Sequence, residues 1–202
     1  MYPGVAEGAD LIGSTQVQGR ATLTGNLCNA GPAADSVPCM AAVGALARVA
    51  GPKGKRDIPV EDIPLAPGKT SLEKGELVES IFFPKKSEKT GDAYLRFIPR
   101  TEMDIAVVGC GVCLSLDVEG TITAAKVVLG AVAIKIIIVE EAAQAIIGTK
   151  LEEDALKKLA AACAAAAKPI TDKRGTIEFR KEISGVLAKR TAKIAYDRAK
   201  EA

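Results

Sequence analysis

With 202 residues and 48% hydrophobic content, the chain can bury a sizeable core and hold one large domain or two small ones. Its 27 basic and 25 acidic residues are interspersed and leave a net charge of only +2, so neither a nucleic-acid stripe nor a surface for an acidic partner is indicated. Histidine and tryptophan are absent and aromatics make up 3%, which removes the usual hydrolase triads, most zinc enzymes and the stacking platforms of single-strand binders; any redox or transfer chemistry would rest with a cofactor.

The opening MYPGVAEGADLIG has no basic segment followed by an apolar one, so no signal peptide is read and a cytoplasmic protein is expected. Residues 19–38, GRATLTGNLCNAGPAADSVP, pack two small-residue turns together: Thr22, Thr24, Gly25 and Asn26, then Gly31, Pro32 and Asp35. Glycine lets main-chain amides close on an anion, and Thr and Asn add short hydrogen-bonding arms, so the segment suits a phosphate cradle. By spacing alone the signal is weak, and an ordinary polar turn ahead of a helix is the preferred reading. Residues 40–49 are Ala-rich with helical spacing and predict a helix that Gly51-Pro52 stops. The basic turn that follows, with Lys53, Lys55 and Arg56, reads as a solvated hairpin tip or as a dock for an acidic partner face. Pro59, Pro64 and Pro67 punctuate an irregular crossing to a strand at 76–83. The Pro67-Gly-Lys-Thr70 stretch is not a P-loop, because that motif needs a glycine where Ile63 stands.

Residues 85–92, KKSEKTGD, carry no apolar member and predict an exposed boundary, dividing the chain near Thr90 into 1–89 and 90–202. Strands are expected at 93–97 and 105–116, with a bulge at Gly109-Cys110-Gly111, then a turn at 117–120 and an antiparallel return at 122–132. The most apolar window, 122–139, contains Lys126 and Lys135 and β-branched residues, so a buried strand is expected and no membrane span. Helices follow at 140–147, ended by Gly148, at 151–167, stopped by Pro169, and at 174–199, with Phe179, Ile183, Leu187 and Ile194 along one side. The five cysteines are odd in number and unrelated in spacing; they read as reduced thiols, with Cys110 and Cys113 as small buried side chains and not as half of a metal site. The pattern is α+β.

The wording of 22–38, TLTGNLCNAGPAADSVP, resembles the T-(I/L)-G-G-N segment and its A-S-P-x-A-D-x-x-P continuation in the FAD-binding medium subunits of molybdenum hydroxylases, the xanthine dehydrogenase and carbon monoxide dehydrogenase group. GPKGKRDIPVEDI at 51–63, PGKTSLEKGELVESIFFP at 67–84, AYLRFIPRTEMDIAVVGCGVCLSLD at 93–117 and PITDKRGTIEFRKEISGVLAKR at 169–190 look like further blocks of the same subunits, in the same order. The resemblance implies a small α/β FAD-binding subdomain followed by a three-stranded antiparallel sheet packed with a helical bundle. It also implies an electron-transfer role, from iron–sulfur clusters of a small subunit, reduced at a molybdopterin large subunit, through FAD to NAD or another acceptor. By the same analogy the amides around Thr24, Gly25 and Asn26 would hold the pyrophosphate, with Thr22 and Asp35 bonding nearby polar groups of the cofactor. Arg96 falls where the family places a Lys or Arg reaching the flavin; read without the resemblance, Arg96 and Arg100 form a local ion-pair cluster with Glu102 and Asp104. Asp172, Arg174, Glu178 and Arg180 resemble the family's D-x-R-(G/A)-(S/T) block and read as capping and pairing at the start of the last helix, with contact to a partner subunit as the further role.

The chain departs from the family pattern in three places. The glycine-rich A-G-G-T-D type loop of a first FAD subdomain has no counterpart, so that subdomain is expected to be missing or supplied by a separate chain. Thr24 replaces the first glycine of G-G-N and Gly31 the usual Ser. IKIIIV at 134–139 stands where a polar connection is usual and reads as an unpaired apolar strand open to association. Two functions stay open: an FAD-binding electron-transfer subunit, and a flavin-free protein with a docking or structural role.

Overall fold

The computed structural model describes residues 1–101 and 103–202, so the Glu102 part of the expected ion-pair cluster lies outside the described residues. The first helices are short. They are α1 (Pro3–Asp10), opened by Pro3 in its first turn, α2 (Thr15–Gln18), α3 (Leu23–Cys28) and α4 (Ser36–Ala42). Every residue of α4 is buried. The helix expected at 40–49 therefore ends early. Gly44 turns the chain at φ +71°, and β1 (Leu46–Gly51) follows, with Ala47 and Val49 at 0% exposure on either side of exposed Arg48. Alanine-rich composition suggested helix, but the two-residue alternation from 46 to 50 carries the burial.

β1 pairs antiparallel with β2 (Gly54–Pro59) and with β5 (Leu77–Phe82), giving the order β2-β1-β5. Between them a 3-10 turn and the small hairpin of β3 (Pro64–Ala66) and β4 (Lys69–Thr70) make the crossing. The Gly68-Lys69 corner is thus a hairpin turn. The basic turn is a hairpin tip, as the glycines predict. Lys53 meets Glu73 at 2.9 Å, Lys55 meets Glu79 at 2.8 Å, and Arg56 meets Glu76 at 2.9 Å. These exposed pairs contribute little to stability, but they leave each of these cations with a carboxylate of its own chain.

The second sheet is antiparallel, in the order β6-β7-β8-β9, with β6 (Thr90–Phe97), β7 (Val108–Leu116), β8 (Ile122–Gly130) and β9 (Ile137–Ile138). Three expectations change here. Thr90, Gly91 and Asp92 are buried strand and not exposed boundary, because Asp92 accepts the Gly4 amide of α1 at 2.7 Å and so has a partner inside. The glycines at 109 and 111 keep regular register opposite Arg96 and Tyr94, and the irregularity falls at Ser115/Leu116. The apolar phase blurs because Val108 to Val112 are buried on both faces of the sheet. Finally, the 134–139 stretch is not unpaired: Ile137 and Ile138 pair with Leu129 and Val128.

Helices α5 (Glu140–Gln144), α6 (Glu153–Ala166) and α7 (Ile177–Lys200) complete the chain. Two cores result. Leu114, Ile122, Leu129, Leu156 and Leu159 pack between the sheet and the last helices, while Leu27, Met40, Val49, Val60 and Val128 fill the side toward α4 and β1. The buried face of α7 is Ser184, Gly185, Ala188, Thr191, Ala192, Ala195 and Ala199, joined by Leu187 and Arg180. Of the large residues expected there, Phe179 is 38% exposed and touches Phe97 edge to face, centroids 5.8 Å apart. Small residues win that face because α7 lies against the strand backbone, where only they fit.

Candidate functional site

Thr22 is the N-cap of α3. Its side-chain oxygen accepts the Gly25 amide at 2.9 Å and lies 3.1 Å from the Thr24 hydroxyl. The expected small-residue turn is therefore the first turn of a short helix, at whose start the amides of Leu23 and Thr24 have no acceptor within the helix. Gly25 leaves the cap room, since a Cβ there would come 3.0 Å from Thr22 Oγ1 and press on it. Beside this turn runs a groove of about 190 Å3, formed by Ala9, Asp10 and Ile12 at the end of α1, by Gln18, and by Ala21, Thr22 and Leu23 leading into α3.

Asn26 lies one turn further along α3, and its Oδ1 accepts the Ser36 hydroxyl at 2.7 Å. The neighbouring Asp35 turns inward. Its Oδ1 accepts the Tyr94 hydroxyl at 2.9 Å and its Oδ2 accepts Arg96 Nη1 at 2.7 Å. The same nitrogen donates to the Leu11 carbonyl at 3.0 Å. The Arg96 and Asp35 side chains are 6% and 9% exposed. Burial pushes the Asp35 carboxyl up from its ordinary range, while Arg96 and the Tyr94 hydroxyl pull it back. Burial, with Asp35 adjacent, raises Tyr94 well above a normal phenol. Thr22, Thr24, Gly25 and Asn26 are thus brought together in the first turn of α3, of which only Thr22 lines the groove, whereas Asp35 and Arg96 are brought to each other.

Tyr94, Ser36 and the Leu11 carbonyl were not singled out from the sequence. Tyr94 and Arg96 lie two apart on one strand and so share a face, which is the one signal that ties Tyr94 to the cluster. Invisible in the sequence is the clamp on α1, where Glu7 accepts the Tyr94 amide at 3.0 Å and pairs with Arg198 near the chain's other end.

At the start of α7, Thr176 caps the helix by accepting the Phe179 amide at 3.2 Å, and Glu178 lies in the first turn. Arg180 donates to the Val107 carbonyl at 2.8 Å and to Asp172 at 2.7 Å. Arg100 and Arg174 both pair with Asp104, at 3.2 and 3.3 Å. Hydrogen bonding from Arg100 first, then from the Ile105 amide and Arg174, lowers the Asp104 carboxyl to about 2. The ion-pair cluster exists, then, with Arg100 in it and Arg96 outside it. Above it opens a largely apolar concavity of about 350 Å3, bordered by Ile105, Ile134, Ile170 and Arg180. Cys110 sits in the core toward α6 and α7 while Cys113 packs toward the α4 side, so the pair does not converge.

Residues 1–86 match the family described as "FAD binding domain in molybdopterin dehydrogenase", and residues 93–195 match "CO dehydrogenase flavoprotein C-terminal domain". The chain is 32% identical over 198 residues to the carbon monoxide dehydrogenase medium chain of Afipia carboxidovorans, covering 98% of this chain and 68% of that one. It is 28% identical over 189 residues to the xanthine dehydrogenase FAD-binding subunit of Escherichia coli O157:H7, covering 93% and 64%. Among solved structures it is similar to a carbon monoxide dehydrogenase from Hydrogenophaga pseudoflava that lacks the Mo-pyranopterin moiety, with TM-score 0.91 and 31% identity over 97% of this chain and 68% of that chain. The chain spans about two thirds of the length of these relatives.

Proposed function

The chain belongs to the FAD-binding medium-subunit family of the molybdenum hydroxylases, the carbon monoxide and xanthine dehydrogenase group, and from that membership we propose that it is an electron-transfer subunit that holds FAD beside α3. The observation that carries the reading is that the FAD-binding family description spans residues 1–86 and that Ala21, Thr22 and Leu23, at the start of its small-residue turn, line a groove. The residues present fit the cofactor: Gly25 keeps the turn low, since a Cβ would crowd it, and the amides of Leu23 and Thr24 are donors left over by the helix.

In this reading the free amides of Leu23 and Thr24 bind the pyrophosphate, Gly25 and Asn26, whose own amides are spent on Thr22, shape the turn, Thr22 caps it, and Asp35 and Arg96 brace the segment that follows α3. FAD, when bound, supplies the one- and two-electron chemistry that no side chain of a histidine-free chain provides. The partners are an iron–sulfur small subunit and a molybdopterin large subunit, with NAD or another acceptor downstream, and an A-G-G-T-D type loop, which these 202 residues do not contain, would complete the cradle. Residues 1–89 form the FAD-binding portion and 90–202 the C-terminal domain.

One observation favours the flavin-free alternative: Arg96 Nη1 and Asp35 Oδ2 are spent on each other, and the Thr22 hydroxyl is spent on its own helix. The visible absorption spectrum of the purified chain, after incubation with FAD and removal of the excess, decides between them. Retained flavin absorbance is expected. A colourless chain, with or without added A-G-G-T-D fragment, would overturn the FAD reading.

A further inference from the structure

We infer that Arg198 and Glu7 are positioning residues for α1: together they close the open edge of β6 and so seat the helix whose far end forms one wall of the groove, while neither lines the groove itself. The inference rests on the FAD reading only for what the groove holds. β6 is the outer strand of its sheet, so backbone groups on its free side have no further strand to pair with. Two of them are taken by side chains instead. Glu7 Oε2 accepts the Tyr94 amide at 3.0 Å, and Arg198 Nη1 donates to the Asp92 carbonyl at 2.8 Å. Arg198 Nη2 then pairs with Glu7 Oε1, which closes a ring through α1, β6 and α7. Residues two apart on a strand turn their backbone groups to the same side, so this pair of side chains stands where another strand would lie.

α1 has little to hold it from within. Its 8 residues are too few for a helix to stand alone, its N-cap Tyr2 supplies no side-chain cap, and its first turn holds no acidic residue. The anchors come from outside: Asp92 Oδ2 accepts the Gly4 amide at 2.7 Å, and Glu7 ties the middle of the helix to β6 and α7. Glu7 lies less than one turn before Ala9 and Asp10, which line the groove with Ile12, so its seat fixes theirs. The ion pair alone contributes little, because the Arg198 and Glu7 side chains are 29% and 34% exposed. Each partner also serves a backbone group of β6, and Arg198 does so with two different nitrogens, a fork that lysine lacks.

The test compares Arg198→Met, Arg198→Lys and the exchanged pair, Glu7→Arg with Arg198→Glu, against the unaltered full chain. Amide hydrogen exchange is measured with and without FAD, and FAD affinity by equilibrium dialysis. In all three variants the amides of 5–12 and of Tyr94 are expected to exchange faster, roughly tenfold in Arg198→Met, while those of β7 and of 184–195 in α7 keep their protection. The exchanged pair retains the two charges but offers Tyr94 no acceptor and Asp92 no donor, so it does not restore the seat. FAD affinity falls by about tenfold in Arg198→Met, and saturating FAD returns protection to 5–12, because seating α1 and filling the groove favour each other. Unaltered exchange at α1 overturns the inference, as does recovery in the exchanged pair, where charge alone would be the role. Loss of protection that reaches β7 overturns it too, since Arg198 would then hold the whole fold, and so does FAD affinity that stays unchanged while α1 loosens. If the unaltered chain binds no FAD, the functional proposal fails, and the exchange comparison still decides whether Arg198 and Glu7 seat α1.

Discussion

Gly91 on β6 lies directly against Ala195 on α7, so close that a side chain of one carbon at position 91 would overlap the Ala195 carbonyl and the Ala199 amide. The long helix and the sheet it covers meet here backbone to backbone. The residues that make this approach are Gly91 on one side and the alanines of α7 on the other.

Gly91→Ala is expected to cost about 3 kcal/mol or more, since the added methyl has only backbone to displace. Gly19→Ala is the control. Gly19 has φ −58°, and its nearest neighbour to a new Cβ would be at an ordinary 3.5 Å. That change should be neutral or stabilise by roughly 0.4–1 kcal/mol through the unfolded chain. Urea denaturation of the two variants checks the contrast.

Arg180→Met removes the donor to the Val107 carbonyl and to Asp172 at a side chain that is 5% exposed. A loss of roughly 3–5 kcal/mol is expected, because buried acceptors are left without partners. Arg100→Ala, at a side chain 68% exposed, should cost less than about 1 kcal/mol. Thermal melts of both variants test whether the cluster's strength lies in its buried member.

Stability should fall as pH drops from the ordinary aspartate value of 3.8 toward about 2, the range over which Asp104 gains its proton. The sign follows from linkage: a carboxyl whose folded value is lowered stabilises the fold above its unfolded value and loses that contribution as the folded one is crossed. Asp172, lowered by the Arg174 amide and Arg180, adds in the same direction. Asp35 and Asp92, raised by burial, act oppositely and are relieved by protonation. Asp104→Asn should flatten the acid limb of a stability-versus-pH curve; an unchanged limb would remove Asp104 as its source.

Gly25→Ala sets two effects against each other. Alanine gains up to about 1 kcal/mol in a helix, and crowding the Thr22 cap loses about the same. Stability should therefore change by less than about 1 kcal/mol, while FAD retention drops as the turn loses its low profile. Equilibrium dialysis of FAD against both proteins, alongside a melt, separates the two.

The sequence was legible where structure is local. The Asp117–Gly120 turn, the tip at Gly51 and Gly54, the break before Pro169 and the run of α7 depend on a few adjacent residues, and they fall where glycine, proline and periodicity place them. The ordered blocks of resemblance placed the family for a related reason: each block is contiguous chain. The misreadings share one cause. Residues 40–49 look helical by composition, Thr90–Asp92 look exposed by polarity, and Ile134–Val139 look unpaired by context. Each was decided by a partner far away in the chain, such as β5 for β1, Gly4 for Asp92 and β8 for β9.

At the site the division is the same. Sequence alone determined that residues 22–26 form a small-residue turn able to cap itself and leave amides over, because Thr22 reaches only three residues ahead to Gly25. Only the tertiary structure decided that Asp35 and Arg96, 61 positions apart, meet, with Tyr94 and the Leu11 carbonyl closing the cluster. A buried charge must find its counter-charge in space, and no spacing along the chain says where that counter-charge will be.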